Sequence, residues 1–283
     1  MLQVGDATIH LINDATIWVD AGGAFGLVPR ALYSAKFMPP NPENCIPMTL
    51  TCLLIQTQGK LIVVDTGYGM KDVGLLRRTV QLDRTHGDLL TGLARVGVQP
   101  ETIDLVINTH LHYDHAGGNT FVDDDGTIYP TFPNAEYVVQ RREYEDAMQP
   151  NERTRATYLP INYAPLVKSG QMRLLDGDSD LLTGVRAVVT PGHTPAHMSV
   201  IVDGGDAPPL MFVCDLASYA VHFERLGWMT AYDVEPLITL ETKRQWREWA
   251  LQTGATLVFP HDPKRHVARL GADGLEDIPE GFV

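Results

Sequence analysis

Residues 110–115 read His-Leu-His-Tyr-Asp-His, so His110, His112, Asp114 and His115 offer four metal-binding side chains within six positions. Imidazole and carboxylate donors suit zinc, and also iron, manganese or cobalt. The run follows Ile103-Asp104-Leu105-Val106-Ile107, an apolar stretch that reads as a buried strand. A regular strand sends His110 and His112 to one face and His115 to the other, because side chains alternate. A helix scatters all four. A turn just past the strand can gather them, and such a turn can feed two metals rather than one.

Polar residues at strand ends are where α/β proteins carry function, and four more fit that description. Asp65 ends Leu61-Ile62-Val63-Val64, and His193 follows Val188-Val189-Thr190 through Pro191-Gly192. Asp215 follows Leu210-Met211-Phe212-Val213-Cys214, and His261 follows Leu257-Val258-Phe259-Pro260. Each taken singly reads as a turn residue or a helix cap; their recurrence after apolar strands points to one shared site. His110, His112, Asp114, His115, His193, Asp215 and His261 supply five imidazoles and two carboxylates. That is enough for two metals with one shared carboxylate and one shared solvent ligand.

The elements that must position these groups are legible from patterning. Strands are expected at Ala7–Asn13, Ala15–Val19, Thr49–Gln56 and Lys60–Asp65, the last two around a turn at Gly59. Further strands are expected at Ala135–Gln140, Met172–Leu175, Val185–Thr190, Ser199–Val202, Leu210–Cys214 and Thr256–Phe259. Helices are expected at Asp88–Val96, ended by Gly97, at Arg141–Met148, and at about Leu240–Gln252 with Trp246, Trp249 and Ala250 on its buried face. Gly22–Asn44 is rich in Gly and Pro yet carries Phe25, Leu27, Leu32, Tyr33 and Phe37, and is expected to be an irregular segment that caps a pocket or meets a partner subunit. No repeat or linker divides the chain, so residues 1–283 are expected to form a single α/β sandwich domain with helices outside two sheets.

The bulk numbers fit an ordinary soluble globule. A hydrophobic content of 44% and a charged content of 20% describe an ordinary globular chain. The net charge of −13, with no basic stripe, argues against nucleic acid. The N-terminus lacks the pattern of a signal peptide, and no apolar run approaches the roughly 20 residues of a membrane helix. Cys45, Cys52 and Cys214 match no disulfide framework or zinc site and read as free thiols, so a cytoplasmic location is expected.

With these residues in hand, the chain resembles the metallo-β-lactamase fold superfamily. The likeness rests on Val64-Asp65-Thr66-Gly67, on Thr109 to Gly118, on Thr190-Pro191-Gly192-His193-Thr194-Pro195-Ala196-His197, and on Asp215 and His261. These signatures follow the family's order from Asp65 to His261, about 70% of the chain. The resemblance implies a four-layer αβ/βα sandwich, with two mixed sheets, outer helices and a dinuclear site along one edge. It implies that His110, His112 and His193 hold one metal, that Asp114, His115 and His261 hold the other, and that Asp215 bridges them. Asp65 is then expected behind a ligand, orienting it by hydrogen bonding, and His197 is read as structural or as a supporting residue of the same kind.

Two such cations, most simply zinc, lower the pKa of bound water from 15.7 towards about 7 and polarise the bond under attack, so the expected chemistry is hydrolysis by a metal-bridging hydroxide. Asp114 is a candidate for proton transfer. A bridging Asp215 favours lactonases, glyoxalase II-type thioesterases and phosphoesterases over true β-lactamases, and Cys214 is expected to point into the core. Asp215-Leu216-Ala217-Ser218-Tyr219 is similar to the acyl-homoserine lactonase pattern, in which a Tyr donates a hydrogen bond to the lactone carbonyl, although the spacing here is one residue longer. Tyr219 is therefore the second catalytic candidate, and His222 a weaker pocket candidate. The expected substrate is a small lactone or ester, and quorum quenching the expected role. Phosphotriester or aryl ester hydrolysis, thioester hydrolysis and a non-catalytic binding or signalling role are the alternatives. A homodimer is compatible with the apolar N-terminal segment, and neither nucleic acid nor membrane is expected as a partner.

Overall fold

The computed structural model describes residues 1–71 and 81–278. Two mixed sheets carry the fold. The first runs in the order Leu2–Val4, Ala7–Asp20, Cys45–Thr57, Lys60–Val64, Leu105–Ile107, Glu136–Gln140 and Met172–Leu175, with Gln81–Asp83 pairing to Ala7–Asp20. The second runs Ser179–Leu182, Val185–Val189, Met198–Val202, Leu210–Phe212, Thr256–Val258, Val267–Gly271 and Gly274–Asp277.

Alternation along the strands explains the layering. Ile62 and Val64 face Val200, Phe212 and Val258 of the opposite sheet in one core. Val63 and Val106 face outward, onto Leu89 and Leu93 of the helix Leu89–Arg95 and Leu166 of the helix Ala164–Ser169. Strands covered on both faces read as continuous apolar runs, which is why their sequences lack a polar alternation. On the far side, Met211 and Leu257 pack against Phe223, Trp246 and Ala250, from the helices Ala220–Glu224 and Pro236–Thr253. The result is helix, sheet, sheet, helix, the four-layer arrangement that the resemblance implies.

Register places several strand ends at one edge. Val64 pairs with Ile107 in parallel, so Asp65 and Asn108 leave the first sheet side by side. Phe212 pairs with Val258 in parallel, and Val189 with Met198 across the turn 190–197. Backbone bonds sew the two sheets together at that edge: Met198 N–H donates to the Thr109 carbonyl, and Thr51 N–H to that of Pro260.

Several expectations need correction. Ala7–Asn13 and Ala15–Val19 are one 14-residue strand, Ala7–Asp20, whose register shifts between Asn13 and Thr16. Segment 22–44 is not irregular throughout, since it follows a helix start at Ala21–Phe25 and contains the helix Arg30–Lys36. Both helices are too short for apolar periodicity to appear. Asp20 accepts hydrogen bonds from Gly22 N–H and Gly23 N–H and from the Asn44 side chain, pinching the segment shut at its ends. Phe25 and Tyr33 then dock on Ile46, Met48 and Tyr219, while Leu27 and Leu32 face solvent. Cys214 does not end a strand: the strand stops at Phe212, and Cys214 begins a 3-10 turn, Cys214–Ala217, with φ +53°. The last helix starts at Pro236, earlier than expected, because proline fits a first helical turn. The hairpin Val267–Gly271 and Gly274–Asp277 completes the second sheet without having been anticipated.

Candidate metal centre

The strand Leu105–Ile107 ends in a loop that turns directly into the short helix Tyr113–Ala116. His110 and His112 lie in the loop and Asp114 and His115 in the helix, so one chain reversal splits the four between two clusters. The turn is closed by Thr66 N–H donating to the His115 carbonyl at 2.7 Å. It also needs small residues just beyond the ligands. A Cβ at Gly117 would lie 2.1 Å from the Tyr68 carbonyl oxygen, and one at Gly118 2.2 Å from that of Thr66.

Two groups of donors face one another at the sheet edge. In the first, His112 Nδ1 lies 3.0 Å from His110 Nε2 and 3.1 Å from His193 Nε2. In the second, His115 Nε2 lies 3.0 Å from His261 Nε2 and 3.6 Å from Asp114 Oδ2. Asp215 sits between them, with Oδ2 3.1 Å from His193 Nε2 and Oδ1 3.0 Å from His261 Nε2. His110, His112, His115, His193, Asp215 and His261 are all buried, and Asp114 is partly exposed to the cleft.

The donors fit a cation. The outer nitrogens of four imidazoles are already committed as N–H donors. His115 Nδ1 bonds Asp65 at 2.8 Å, His193 Nδ1 bonds Asp233 at 2.9 Å, and His261 Nδ1 bonds the Thr49 carbonyl at 2.7 Å. His110 Nδ1 lies 3.1 Å from Thr109 Oγ1, whose proton goes to Asp65. With its outer nitrogen donating, each of these four rings in its neutral form presents an Nε2 lone pair, and those of His115 and His261, 3.0 Å apart, cannot satisfy one another. Nitrogens bound at 2.0–2.1 Å around a tetrahedral zinc stand about 3.3 Å apart, close to these spacings. Burial first, and neighbouring imidazoles next, hold His110 and His112 well below the ordinary histidine range, so both are neutral donors. Burial opposes ionisation of Asp215, but His261, His193 and His115 outweigh it and hold its carboxyl well below the usual range.

The supporting residues divide into expected and unexpected. Asp65, at φ +55°, also accepts from Thr109 N–H at 2.8 Å, so it braces the loop as well as His115. Cys214 is buried in the core as expected, yet its sulfur faces the site from below, 3.1 Å from Thr109 Oγ1 and 3.5 Å from Asp65 Oδ2. His197, pushed down to about 3 by burial, is a neutral acceptor for Asp215 N–H at 3.1 Å. Asp233, the Thr49 carbonyl and Glu143 were not anticipated. Asp233 also accepts from Thr230 Oγ1, and Glu143 reaches Leu111, Tyr158 and Thr194. None carries a motif, and Asp233 and Thr49 meet His193 and His261 from distant parts of the chain.

Above the donors lies a small cleft of about 90 Å³. Val19, Ala24, Met48, Tyr113, Tyr219 and Tyr232 line it. Tyr219 is fully buried between Phe25 and Phe37, and its hydroxyl has no hydrogen-bond partner among the described residues. His222 packs behind Phe25 and Tyr219 rather than lining the cleft.

Residues 47–261 match the metallo-beta-lactamase superfamily. The chain belongs to that superfamily. It is a hydrolase of the family, and among its relatives is an N-acyl homoserine lactonase of a Bacillus species, 29% identical over 231 residues, covering 78% of this chain and 84% of that protein. A second relative, the N-acyl homoserine lactonase AttM of Azorhizobium caulinodans, is 30% identical over 190 residues, covering 64% of this chain and 66% of that protein. Among solved structures, a probable metal-dependent hydrolase from Staphylococcus aureus superposes with a TM-score of 0.88 at 26% identity, covering 100% of both chains. AidC, a dizinc quorum-quenching lactonase, superposes with a TM-score of 0.77 at 21% identity, covering 100% of this chain and 97% of that one. Among the described residues no helix is long and apolar enough to cross a membrane.

Proposed function

We propose that this chain is a dinuclear metal-dependent lactonase that opens acyl-homoserine or related lactones. The observation that carries the dinuclear part is Asp215, with one carboxylate oxygen turned towards each donor group. His110, His112 and His193 would hold one divalent cation, and Asp114, His115 and His261 the other. Zinc fits these donors best, with iron, manganese or cobalt also suited. When bound, the ions supply Lewis acidity at the scissile carbonyl and a nucleophile from water at neutral pH.

The protein's own part is positioning and proton handling. Asp65, Asp233 and the Thr49 carbonyl keep the imidazoles in one tautomer, so nothing reorganises when substrate arrives. The unpaired hydroxyl of Tyr219 lies at the cleft and can donate to the carbonyl oxygen as charge develops there. Asp114 is partly exposed to the cleft and is the group suited to carry a proton to the leaving alkoxide. Val19, Ala24 and Met48 provide apolar wall for an acyl chain.

The lactone assignment is supported by the relatives and by this wall. Its test is a hydrolysis panel on the metal-loaded protein: acyl-homoserine lactones, simple lactones, aryl esters, phosphotriesters, glutathione thioesters and β-lactams. Lactones are expected to have the highest kcat/KM. Inert lactones beside rapid turnover of a phosphotriester or an aryl ester would overturn the substrate assignment and leave the hydrolase in place.

A further inference from the structure

We propose that Glu143 is a positioning residue for the first donor group, setting the spacing between the His110-Leu111-His112 segment and the His193-Thr194 turn. The inference rests on reading His110, His112 and His193 as a metal-holding group.

Glu143 lies in the first turn of the helix Arg141–Met148 and is 0% exposed, whereas Arg141, Arg142, Glu145 and Met148 face solvent. A buried carboxylate is costly unless donors surround it, and this one has them. Oε1 accepts from Leu111 N–H at 3.0 Å and from the Tyr158 hydroxyl at 3.0 Å. Oε2 accepts from Thr194 Oγ1 at 2.6 Å.

Each arm ends beside a ligand of the same group. Leu111 is the residue between His110 and His112. Thr194 directly follows His193. Tyr158 packs at a tilt against the His112 ring, with centroids 5.0 Å apart, and its backbone forms an isolated bridge with His112. His112 and His193 are 81 positions apart in the chain, yet their facing nitrogens must stay 3.1 Å apart. A single carboxylate that grips both segments is a direct way to hold that distance. The second group is braced independently, through Asp65 on His115 and the Thr49 carbonyl on His261.

A carboxylate suits this place because it offers about four acceptor sites at one point and no competing donor. Glutamine keeps most of the geometry: its oxygen can accept from Leu111 N–H and Tyr158, and its amide can donate to Thr194 Oγ1. Leucine keeps the volume and loses every arm. Supporting partners of this kind typically change metal affinity about 10–100-fold.

The test is a chelator titration of the metal-loaded protein, with bound metal counted at each step, alongside the Tm of the metal-free form. In Glu143→Leu, one metal equivalent is expected to leave at a chelator concentration about 10–100-fold lower, with the other unchanged. Glu143→Gln is expected to stay close to wild type. Thr194→Val, which removes one arm and leaves the carboxylate, is expected to weaken the same equivalent by less, so the prediction stands on that variant if the leucine protein does not fold. Asp65→Asn, which loosens His115 directly and His110 through Thr109, is expected to weaken both equivalents together. Equal release of both metals in every Glu143 and Thr194 variant, even with a lowered Tm, would reduce Glu143 to packing and overturn the proposal. A glutamine variant as weak as leucine would overturn the spacing account too. A wild-type protein that takes up no metal would defeat the dinuclear reading itself, a result distinct from the others.

Discussion

On the floor of the cleft, His115, His193 and His261 each have the outer ring nitrogen tied to a carboxylate or carbonyl, and His110 to a hydroxyl. On its wall, among the described residues, neither the buried hydroxyl of Tyr219 nor either ring nitrogen of His222 behind it has a hydrogen-bond partner. Leaving such a group unpaired in the interior costs about 1–3 kcal/mol. The floor is thus fully determined before any substrate arrives. The wall is shaped by aromatic packing of Phe25, Phe37 and Trp228 and keeps polar capacity in reserve. On the proposed function the contrast is a division of labour: the floor sets the reaction, and the wall chooses what undergoes it.

The largest effect should come from breaking the floor at its shared point. Asp215→Asn replaces an oxygen facing one donor group with an amide, and hydrolysis of every substrate should fall by more than the roughly 100-fold that bounds the loss of a supporting partner. Steady-state rates beside metal counts check this; a selective loss on lactones alone would erase the boundary between floor and wall. Next, Tyr219→Phe should lower kcat for lactones by about 100-fold if its hydroxyl meets the developing oxyanion. Its metal content should remain that of wild type, and an unchanged lactone rate would return Tyr219 to a packing role. Asp233→Ala should release one metal equivalent about 10-fold more readily, since His193 loses the partner that fixes its tautomer, as read by chelator competition. The smallest change belongs to the apolar wall. Met48→Ala should alter kcat/KM by about 10-fold and unevenly across acyl lengths, the low end of what a change of apolar fit does in a hydrophobic pocket. A uniform loss across the series would place Met48 with the floor.

The same division governs what the sequence discloses. The floor is spelled out locally: His110 to His115 sit in six positions, and Asp65, His193, Asp215 and His261 each follow an apolar strand. Parallel register then brings those strand ends together without further information. The supporting residues are less visible. Asp233 lies in a turn 40 positions from His193, Glu143 on a surface helix, and the Thr49 contribution is a backbone carbonyl that no side-chain type announces. The wall is harder still, because Tyr219 is oriented by Phe25 and Phe37, from a segment whose helices are too short to show periodicity. The left-handed turn at Cys214, a conformation rarely adopted by residues other than glycine, also had no sequence signal, and it is what carries the sulfur beneath Thr109 instead of along a strand.

The most direct test of this account is the metal content of the purified protein, counted per chain after reconstitution with zinc, manganese or cobalt. Two donor groups sharing Asp215 predict about two divalent ions per chain and the loss of both activity and stoichiometry on chelation. A protein that stays near zero with every metal, or that hydrolyses its substrates equally well when stripped, would contradict it.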